Sequence, residues 1–303
     1  MFSFFAVWAE VEWNPIEPLQ FLLGGRVDYF NTAEDWDFSP RFNARYDIHS
    51  EFPRTTLKTG VGIFHQIPNP VQVVDVFGSP DVHSSRAIHY SVGVEQEVSE
   101  FFTASVEGFY KDLDDQIVRV AQADGSEGYE NIGTGKTYGL EALLRYRFDG
   151  RLFGWAAYTL SRSTRTEGPD EPERLFEYDQ THNLTLLASY ALGRGWTLGS
   201  KFRYTTGSLY TPCEGGVLNA AAGSYACRSG ETFGERLPAF HQLDVRVDKK
   251  WTFDAWNLTA YLDLQNVYNR ANPEEIQYNY NYTQSDTVAG LPILPNIGVR
   301  GEF

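Results

Sequence analysis

Residues 39–48 read Ser-Pro-Arg-Phe-Asn-Ala-Arg-Tyr-Asp-Ile, and their alternation decides the fold. Phe42, Ala44, Tyr46 and Ile48 fall on one side of an extended chain, and Arg41, Asn43, Arg45 and Asp47 on the other. Successive side chains of a strand point to opposite faces, so this segment has one apolar and one charged surface. A helix mixes the same residues around its circumference.

The period of two recurs in both directions. Upstream, Phe5, Val7, Val11 and Trp13 oppose Glu10 and Glu12, and Phe21, Leu23, Val27 and Tyr29 oppose Gln20, Arg26 and Asp28. Downstream, Ile88, Tyr90, Val92 and Val94 oppose His89, Ser91 and Glu95. Tyr138, Leu140, Ala142, Leu144 and Tyr146 oppose Glu141, Arg145 and Arg147. Trp196, Leu198, Phe202 and Tyr204 oppose Lys201 and Arg203, and Leu243, Val245 and Val247 oppose Asp244, Arg246 and Asp248. Leu258, Ala260, Leu262 and Leu264 oppose Thr259, Asp263 and Gln265, and the last run sets Ile297, Val299 and Phe303 against Arg300 and Glu302. Such runs number about 13, many of about ten residues or more. Soluble strands average about 5–6 residues, whereas a tilted transmembrane strand needs about 9–11.

Composition narrows the class. The 303 residues carry 25 Lys+Arg against 40 Asp+Glu, a formal charge of −15, which argues against a nucleic-acid partner. Aromatics make up 15%, Gly numbers 27 and Met 1, unlike most helical proteins. No stretch approaches the roughly 18 apolar residues of a transmembrane helix. The start, Met1-Phe2-Ser3-Phe4-Phe5, has neither the basic region nor the cleavage site of a signal peptide.

The connections are read as alternately short and long: short near 14–17, 49–53, 99–100, 149–150, 193–195 and 252–255, long near 31–37, 67–84, 114–131, 165–179, 207–235 and 268–295. Outer-membrane barrels alternate in this way, with tight periplasmic turns and long extracellular loops. Trp13, Trp196, Trp251 and Trp256 sit beside the short turns, as do Phe101, Phe102, Phe148 and Phe153, which predicts an aromatic girdle at that end only. The fold expected is all-β: a transmembrane antiparallel barrel, incomplete at about 13 strands, since an odd count would bring the first and last strands together in parallel. Lumen-facing positions are then Arg41, Arg45, Arg145, Arg147, Arg203 and Arg246, and lipid-facing positions Phe42, Tyr46, Leu144, Phe202 and Val245.

Few motifs carry chemistry. Gly133-Thr134-Gly135-Lys136-Thr137 ends like a phosphate loop, but position 130 is Glu where that motif needs Gly, so a strand entry is the better reading. His49, His65, His83, His89, His182 and His241 show no zinc spacing; His83 and His89 are close enough in sequence to meet one ligand, but surface histidines are the better reading. No nucleophile motif is present, so no catalytic residue, metal or cofactor is expected. The acids Glu167, Asp170, Glu171, Glu173, Glu177 and Asp179 are irregularly spaced around Pro169 and Pro172, which suits a solvated loop better than a Ca²⁺ site. Cys213 and Cys227 share one long loop and are expected to form a disulfide, worth around 3 kcal/mol in the chain-entropy model. Tyr278, Tyr280 and Tyr282 share a face if 276–283 is extended, with Asn279 and Asn281 opposite. Stacked Tyr and Asn amides suit a sugar or an aromatic siderophore, and a strand standing above the membrane is the plainer reading.

Several stretches together resemble the C-terminal part of the barrel of a TonB-dependent outer-membrane receptor. Leu22-Leu23-Gly24-Gly25-Arg26-Val27-Asp28-Tyr29 is similar to the family's G-x-R-x-D strand, and Phe38-Ser39-Pro40-Arg41-Phe42 to its S-P-R strand opening. Asn131-Ile132-Gly133 followed by Tyr138-Gly139-Leu140-Glu141 resembles its N-x-G … G-x-E signature. Asp263-Leu264-Gln265-Asn266-Val267-Tyr268-Asn269 resembles its N-V-x-N/D segment, and Phe303 its terminal assembly signal. The resemblance implies the outer membrane of a Gram-negative bacterium and a barrel of about 22 strands with a plugged lumen. Residues 1–303 then form the C-terminal portion, with the plug domain and N-terminal strands absent. The parent is expected to import a scarce nutrient such as siderophore-bound iron and to reach the TonB complex only through the plug. Other expected partners are outer-membrane lipid, lipopolysaccharide and the barrel-assembly machinery, with the protein a monomer. Two alternatives stay open: a complete barrel of about 12 or 14 strands acting as a passive channel, and a soluble β-protein that binds carbohydrate.

Overall fold

The computed structural model describes residues 3–31, 35–74, 78–121, 126–148 and 150–303. Its strands are β1 (Phe4–Ile16), β2 (Leu19–Phe30), β3 (Asp35–His49), β4 (Thr55–Gln66), β5 (Ser85–Glu97), β6 (Phe102–Ala121), β7 (Glu127–Phe148), β8 (Leu152–Thr166), β9 (Arg174–Leu175) and β10 (His182–Gly193). They continue with β11 (Trp196–Thr205), β12 (Leu209–Tyr210), β13 (Cys213–Asn219), β14 (Ser224–Ser229), β15 (Glu235–Arg236), β16 (Phe240–Thr252), β17 (Asn257–Gln265), β18 (Pro273–Tyr278), β19 (Ser285–Ala289) and β20 (Leu294–Glu302). One helical turn, α1 (Pro70–Val73), precedes β5. The main sheet follows the order β1-β2-β3-β4-β5-β6-β7-β8-β10-β11-β16-β17-β20, an all-β meander of thirteen strands with β9 attached to β8. The remaining strands form three two-stranded sheets: the hairpins β13-β14 and β18-β19, and β12 paired with β15 around the first of them.

Two expected long connections are short. β2 ends at Phe30 and β3 starts at Asp35, so the break expected over 31–37 spans only 31–34. The loop expected over 114–131 is mostly strand, because β6 runs to Ala121 and β7 starts at Glu127. Asp112, Asp114 and Asp115 lie inside β6, since an antiparallel ladder continues wherever two strands stay in register. Within β6, Asp115 has φ +54.

The chain forms two compact units: Met1–Glu97 with Ser105–Leu140 and Ser161–Phe176, and Val98–Ala104 with Glu141–Leu160 and Glu177–Phe303. In the first, register sorts the side chains by face. Phe21, Leu23, Val27 and Tyr29 of β2 lie across from Ala44, Phe42, Phe38 and Trp36 of β3. On the opposite face Gln20, Gly24 and Asp28 meet Arg45, Arg41 and Asp37. The apolar file of β3 runs Trp36, Phe38, Pro40, Phe42, Ala44, Tyr46, Ile48, with an aromatic near each end. Ten residues of strand tilted by about 45° rise about 24 Å, close to the roughly 25 Å apolar band of such proteins. Trp13, Phe21 and Phe42 stack in series toward the short turns, at 5.5 and 5.6 Å. Tyr29 and Trp36 meet at 4.7 Å at the other end. The aromatics therefore mark both ends in this unit, and not only the short-turn end as the sequence suggested.

In the second unit, Leu186, Phe202 and Leu243 form an apolar row across β10, β11 and β16, while Thr185, Arg203 and Gln242 form the polar row beside it. Phe253, Trp256 and Phe303 stack at the short-turn end, at 4.8 and 5.8 Å. Exposure is inverted relative to a soluble domain. Val92 is 64% and Val299 74% exposed, whereas Thr56, Asp179 and Asn266 are among the most deeply buried side chains. Large exposed apolar faces of this kind mark contact with lipid or protein.

The β10–β11 hairpin turns on Arg194 and Gly195, both at positive φ. This backbone twist matches that of the flanking strands. A Cβ on Gly195 would collide with the carbonyl oxygen of Lys250. Gly195→Val therefore combines a steric clash with a strained φ and should destabilise by about 2–3 kcal/mol. The check is the temperature at which the folded band is lost on a heat-modifiability gel; an unchanged midpoint would show that this turn is not as tight as described.

Candidate functional site

The polar face carries the arginines singled out in the sequence. In the first unit Arg41 lies between Gly24 and Gly62, and Arg45 between Gln20 and Lys58. Lys58 pairs with Glu95 at 2.5 Å, and Arg45 approaches the same carboxylate at 3.9 Å. Above the Arg41–Gly62 pair the β3–β4 ladder stops, while β3 stays paired with β2 and β4 with β5. The resulting fork holds a cavity of about 390 Å³ lined by Arg26, Asp28, Asp37, Ser39, Arg41 and His65, among others. Ser84 Oγ donates to Asp37 Oδ2 at 2.5 Å, and Ser39 Oγ meets His65 Nδ1 at 3.0 Å.

In the second unit Arg246 pairs with Asp248 at 2.7 Å and lies 3.9 Å over the Tyr261 ring, while Arg203 lies 5.5 Å over Phe240. Arg145 and Arg147 are exposed on β7, alternating with Leu144 and Tyr146. The structure thus groups Arg41 with Arg45 and places Arg203 and Arg246 on one face, mostly with carboxylate or aromatic partners.

The long loops of the second unit form a built cluster. Cys213 and Cys227 are joined by a disulfide across the β13–β14 hairpin, with Cα atoms 5.7 Å apart. The β18–β19 hairpin packs against it: the Cys213 amide donates to Tyr278 Oη at 2.9 Å. A Cβ on Gly216 would strike the Asn281 carbonyl, so glycine permits this approach. The expected extended run of tyrosines is interrupted. β18 stops at Tyr278, Tyr282 has φ +57, and Asn279 Oδ1 accepts the amides of Thr283 and Gln284 at 3.0 and 3.2 Å. A turn closed by its own amide does not keep strand alternation. Tyr278 and Tyr282 still meet at 5.9 Å, whereas Tyr280 stands 81% exposed with its ring 6.0 Å from Tyr225. Asn279 and Asn281 serve the turn, since Thr283 Oγ1 donates to Asn281 Oδ1 at 2.7 Å.

Side chains that the sequence did not single out as site residues hold these loops. Asn266 is buried, at φ +54. Its Nδ2 donates to the carbonyls of Arg270 and Leu291 at 2.9 and 3.1 Å, and its Oδ1 accepts the Arg270 amide at 2.9 Å. Asn272 is bound to the His241 backbone through both amide atoms, at 3.1 Å each. Arg236 forms an ion pair with the buried Asp179 and also donates to the carbonyls of Asp179 and Gly207 at 2.7 and 3.1 Å. In the first unit Asn131 has the same role: it binds the carbonyls of His83 and Asp115 at 2.9 and 2.8 Å and accepts the His83 amide at 3.0 Å. Asn131 and Asn266 belong to the N-x-G and N-V-x-N stretches, so the motifs were visible but their partners, far away in sequence, were not.

Tyr210 Oη donates to Glu235 Oε2 at 2.5 Å. This bond pushes the phenol up to about 12, with burial adding to it.

The remaining motifs have structural roles. Gly135 lies inside β7, where a Cβ would come 2.6 Å from the Thr164 carbonyl, and Lys136 pairs with Glu173 at 2.8 Å. Of the acids at 167–179, Glu167 pairs with Arg174 and Asp179 with Arg236. His83 Nδ1 faces the Ser84 carbonyl at 3.2 Å, and His89 packs on Phe64 at 4.4 Å. Among the described residues no group of three or more His, Cys, Asp or Glu side chains is placed to hold a metal ion.

Comparison with known proteins agrees with this architecture. Residues 2–267 match the family described as TonB dependent receptor-like, beta-barrel. The chain belongs to the TonB-dependent receptor β-barrel family and is an outer-membrane protein. The iron-regulated outer membrane virulence protein of Vibrio cholerae, strain O395, is 25% identical over 182 residues, covering 52% of this chain and 27% of that protein. Among solved structures, the outer membrane transporter YddB from Escherichia coli superposes with a TM-score of 0.72 at 13% identity, over 99% of this chain and 45% of that one. The pyoverdine outer membrane receptor FpvA from Pseudomonas aeruginosa PAO1, bound to pyoverdine, gives 0.70 at 16%, over 100% and 42%. The chain therefore spans about a quarter of the curated relative and under half of these solved chains.

Two expectations follow from the loop geometry. Asn266→Ala removes three hydrogen bonds at a left-handed position and should destabilise by about 2–3 kcal/mol. Trypsin should then cut faster after Arg270; cleavage and melting both unchanged would count against the clasp. For Tyr210, a folded pKa raised above the ordinary value near 10 gives stability that is complete below that value and lost as pH rises toward about 12. Phenolate absorbance should show one late-titrating tyrosine that returns toward the ordinary range in Glu235→Gln; identical titrations would refute the assignment.

Proposed function

We propose that this chain is the barrel part of a receptor that imports a ferric siderophore or a similar scarce nutrient, coupled to the TonB complex through a plug domain. The observation that carries the reading is the tyrosine cluster on the disulfide-pinned hairpins at the long-loop end, in a chain of this receptor family. Tyr280 and Tyr225 offer exposed aromatic faces, and Tyr278 and Tyr282 form a second ring pair in the same loops. Flat aromatic or conjugated ligands stack on such faces, and the amphipathic ring tolerates both water and ligand. A pyoverdine receptor and an iron transporter are among the structural neighbours, which supports this substrate class.

In this reading Arg41, Arg45, Arg145, Arg147, Arg203 and Arg246 face the lumen, and Phe42, Tyr46, Leu144, Phe202 and Val245 face lipid. On this face Arg246 pairs with Asp248 and Lys58 with Glu95. Arginine on the lipid face would cost about 2–4 kcal/mol at the midplane, so the register is strongly set.

The test uses full-length protein in cells lacking the chromosomal copy, grown on chelated iron with single ferric siderophores. At least one catecholate or hydroxamate complex should restore growth, and Tyr280→Ala should weaken its binding about fivefold. Failure of every complex would sink the substrate class, and a Tyr280 variant binding like the parent would sink the loop site. Cysteines placed at Arg41, Arg203 and Arg246 should react with a membrane-impermeant reagent, and those at Phe42, Phe202 and Val245 should not; the reverse pattern would overturn the facing.

A further inference from the structure

Lys249 breaks the alternation of β16. The odd positions of that strand are His241, Leu243, Val245, Val247, Lys249 and Trp251, and Lys249 puts a charge on the apolar face beside the short turns. In register it lies across from Trp196. Its ammonium is 5.3 Å from the Trp196 ring and 5.6 Å from the Trp251 ring, and it donates to the Arg194 carbonyl at 2.5 Å. Arg194 is exposed at the hairpin turn. Nearby, Glu302 is taken by Lys250 and Arg300. No carboxylate among the described residues pairs with Lys249 or Arg194.

A lysine on an apolar face ordinarily extends its ammonium to water. Here one carbonyl and two indoles hold it at the edge of the face, with two further N–H donors to satisfy. Tryptophan rings settle at headgroup depth, so the ammonium lies at the level of a lipid phosphodiester. Each cation at a membrane surface strengthens attraction to anionic lipid about fivefold.

We propose that Lys249 and Arg194, framed by Trp196 and Trp251, bind the phosphate of an anionic phospholipid in the periplasmic leaflet. The site rests on the facing proposed above, which places these residues against lipid. It is separate from the loop cluster and needs no nutrient ligand. Its effect is to fix the depth and rotation of this part of the barrel wall.

The experiment titrates the full-length protein, purified in non-ionic detergent, with phosphatidylglycerol, with zwitterionic phosphatidylethanolamine and with inorganic phosphate. Native mass spectrometry counts bound lipid. Phosphatidylglycerol should be retained at least about fivefold more tightly than phosphatidylethanolamine. Lys249→Met should lose about fivefold and Lys249→Met with Arg194→Gln about 25-fold. Methionine keeps the apolar stem, and an unchanged heat-modified band shows that the variants fold. Arg119→Gln, at the long-loop end, should bind lipid as the parent does. Parent-like retention in the double variant overturns the site. So does displacement by inorganic phosphate, which would mark a free-anion site, or an equal loss in Arg119→Gln, which would mark bulk charge. If cysteine labelling confirms the facing while the double variant keeps its lipid, this site alone fails; if Val245 proves aqueous, the facing itself fails.

Discussion

A backbone amide in hydrocarbon has no water to bond, and this constraint governs the rest of the molecule. Each N–H and C=O in the membrane must find a neighbouring strand, so the chain runs as long antiparallel strands in a meander. Because such strands alternate, one face can be apolar and the other charged over the same residues. The consequence is a set of exposed Phe, Trp, Val and Leu, with Thr56, Asp179 and Asn266 among the deeply buried side chains.

Beyond the membrane the ladders end and the same demand is met by side chains. Asn131, Asn266 and Asn272 each bind backbone groups of the loops and strand ends. Asparagine suits this work because one amide both donates and accepts, and it tolerates the left-handed backbone found at Asn266. Arg236 reaches two carbonyls and a carboxylate with one planar group. The disulfide and the Tyr278 bond then tie two loops into one platform, which presents Tyr280 to solvent. Rigidity at the base and exposure at the tip are what a ligand-binding loop needs.

The polar face follows a related economy. Carboxylates two residues away on the same strand pair with some of its arginines, as Asp28 does with Arg26 and Asp248 with Arg246. The β3–β4 ladder parts above Arg41, and the fork opens a polar cavity where the ladder would otherwise be closed.

The alternation in 39–48 and its repeats determined the all-β class, the number of main strands and the two faces, because period two is a property of the extended backbone itself. The stretches Asn131-Ile132-Gly133 and Asn266-Val267-Tyr268-Asn269 also pointed to the family. Only the tertiary structure decided where the ladders stop. β6 and β7 continue past the acids at 112–115, and β3 and β4 part above Arg41 and Gly62. It also decided what the asparagines hold, since Asn131 binds His83 across 48 residues of sequence. The tyrosines of 278–282 left their common face because Asn279 closes a turn that alternation does not foresee. Strand periodicity is written locally, residue by residue; ladder ends and loop clasps depend on which distant carbonyls and amides arrive without a partner, and folding alone settles that.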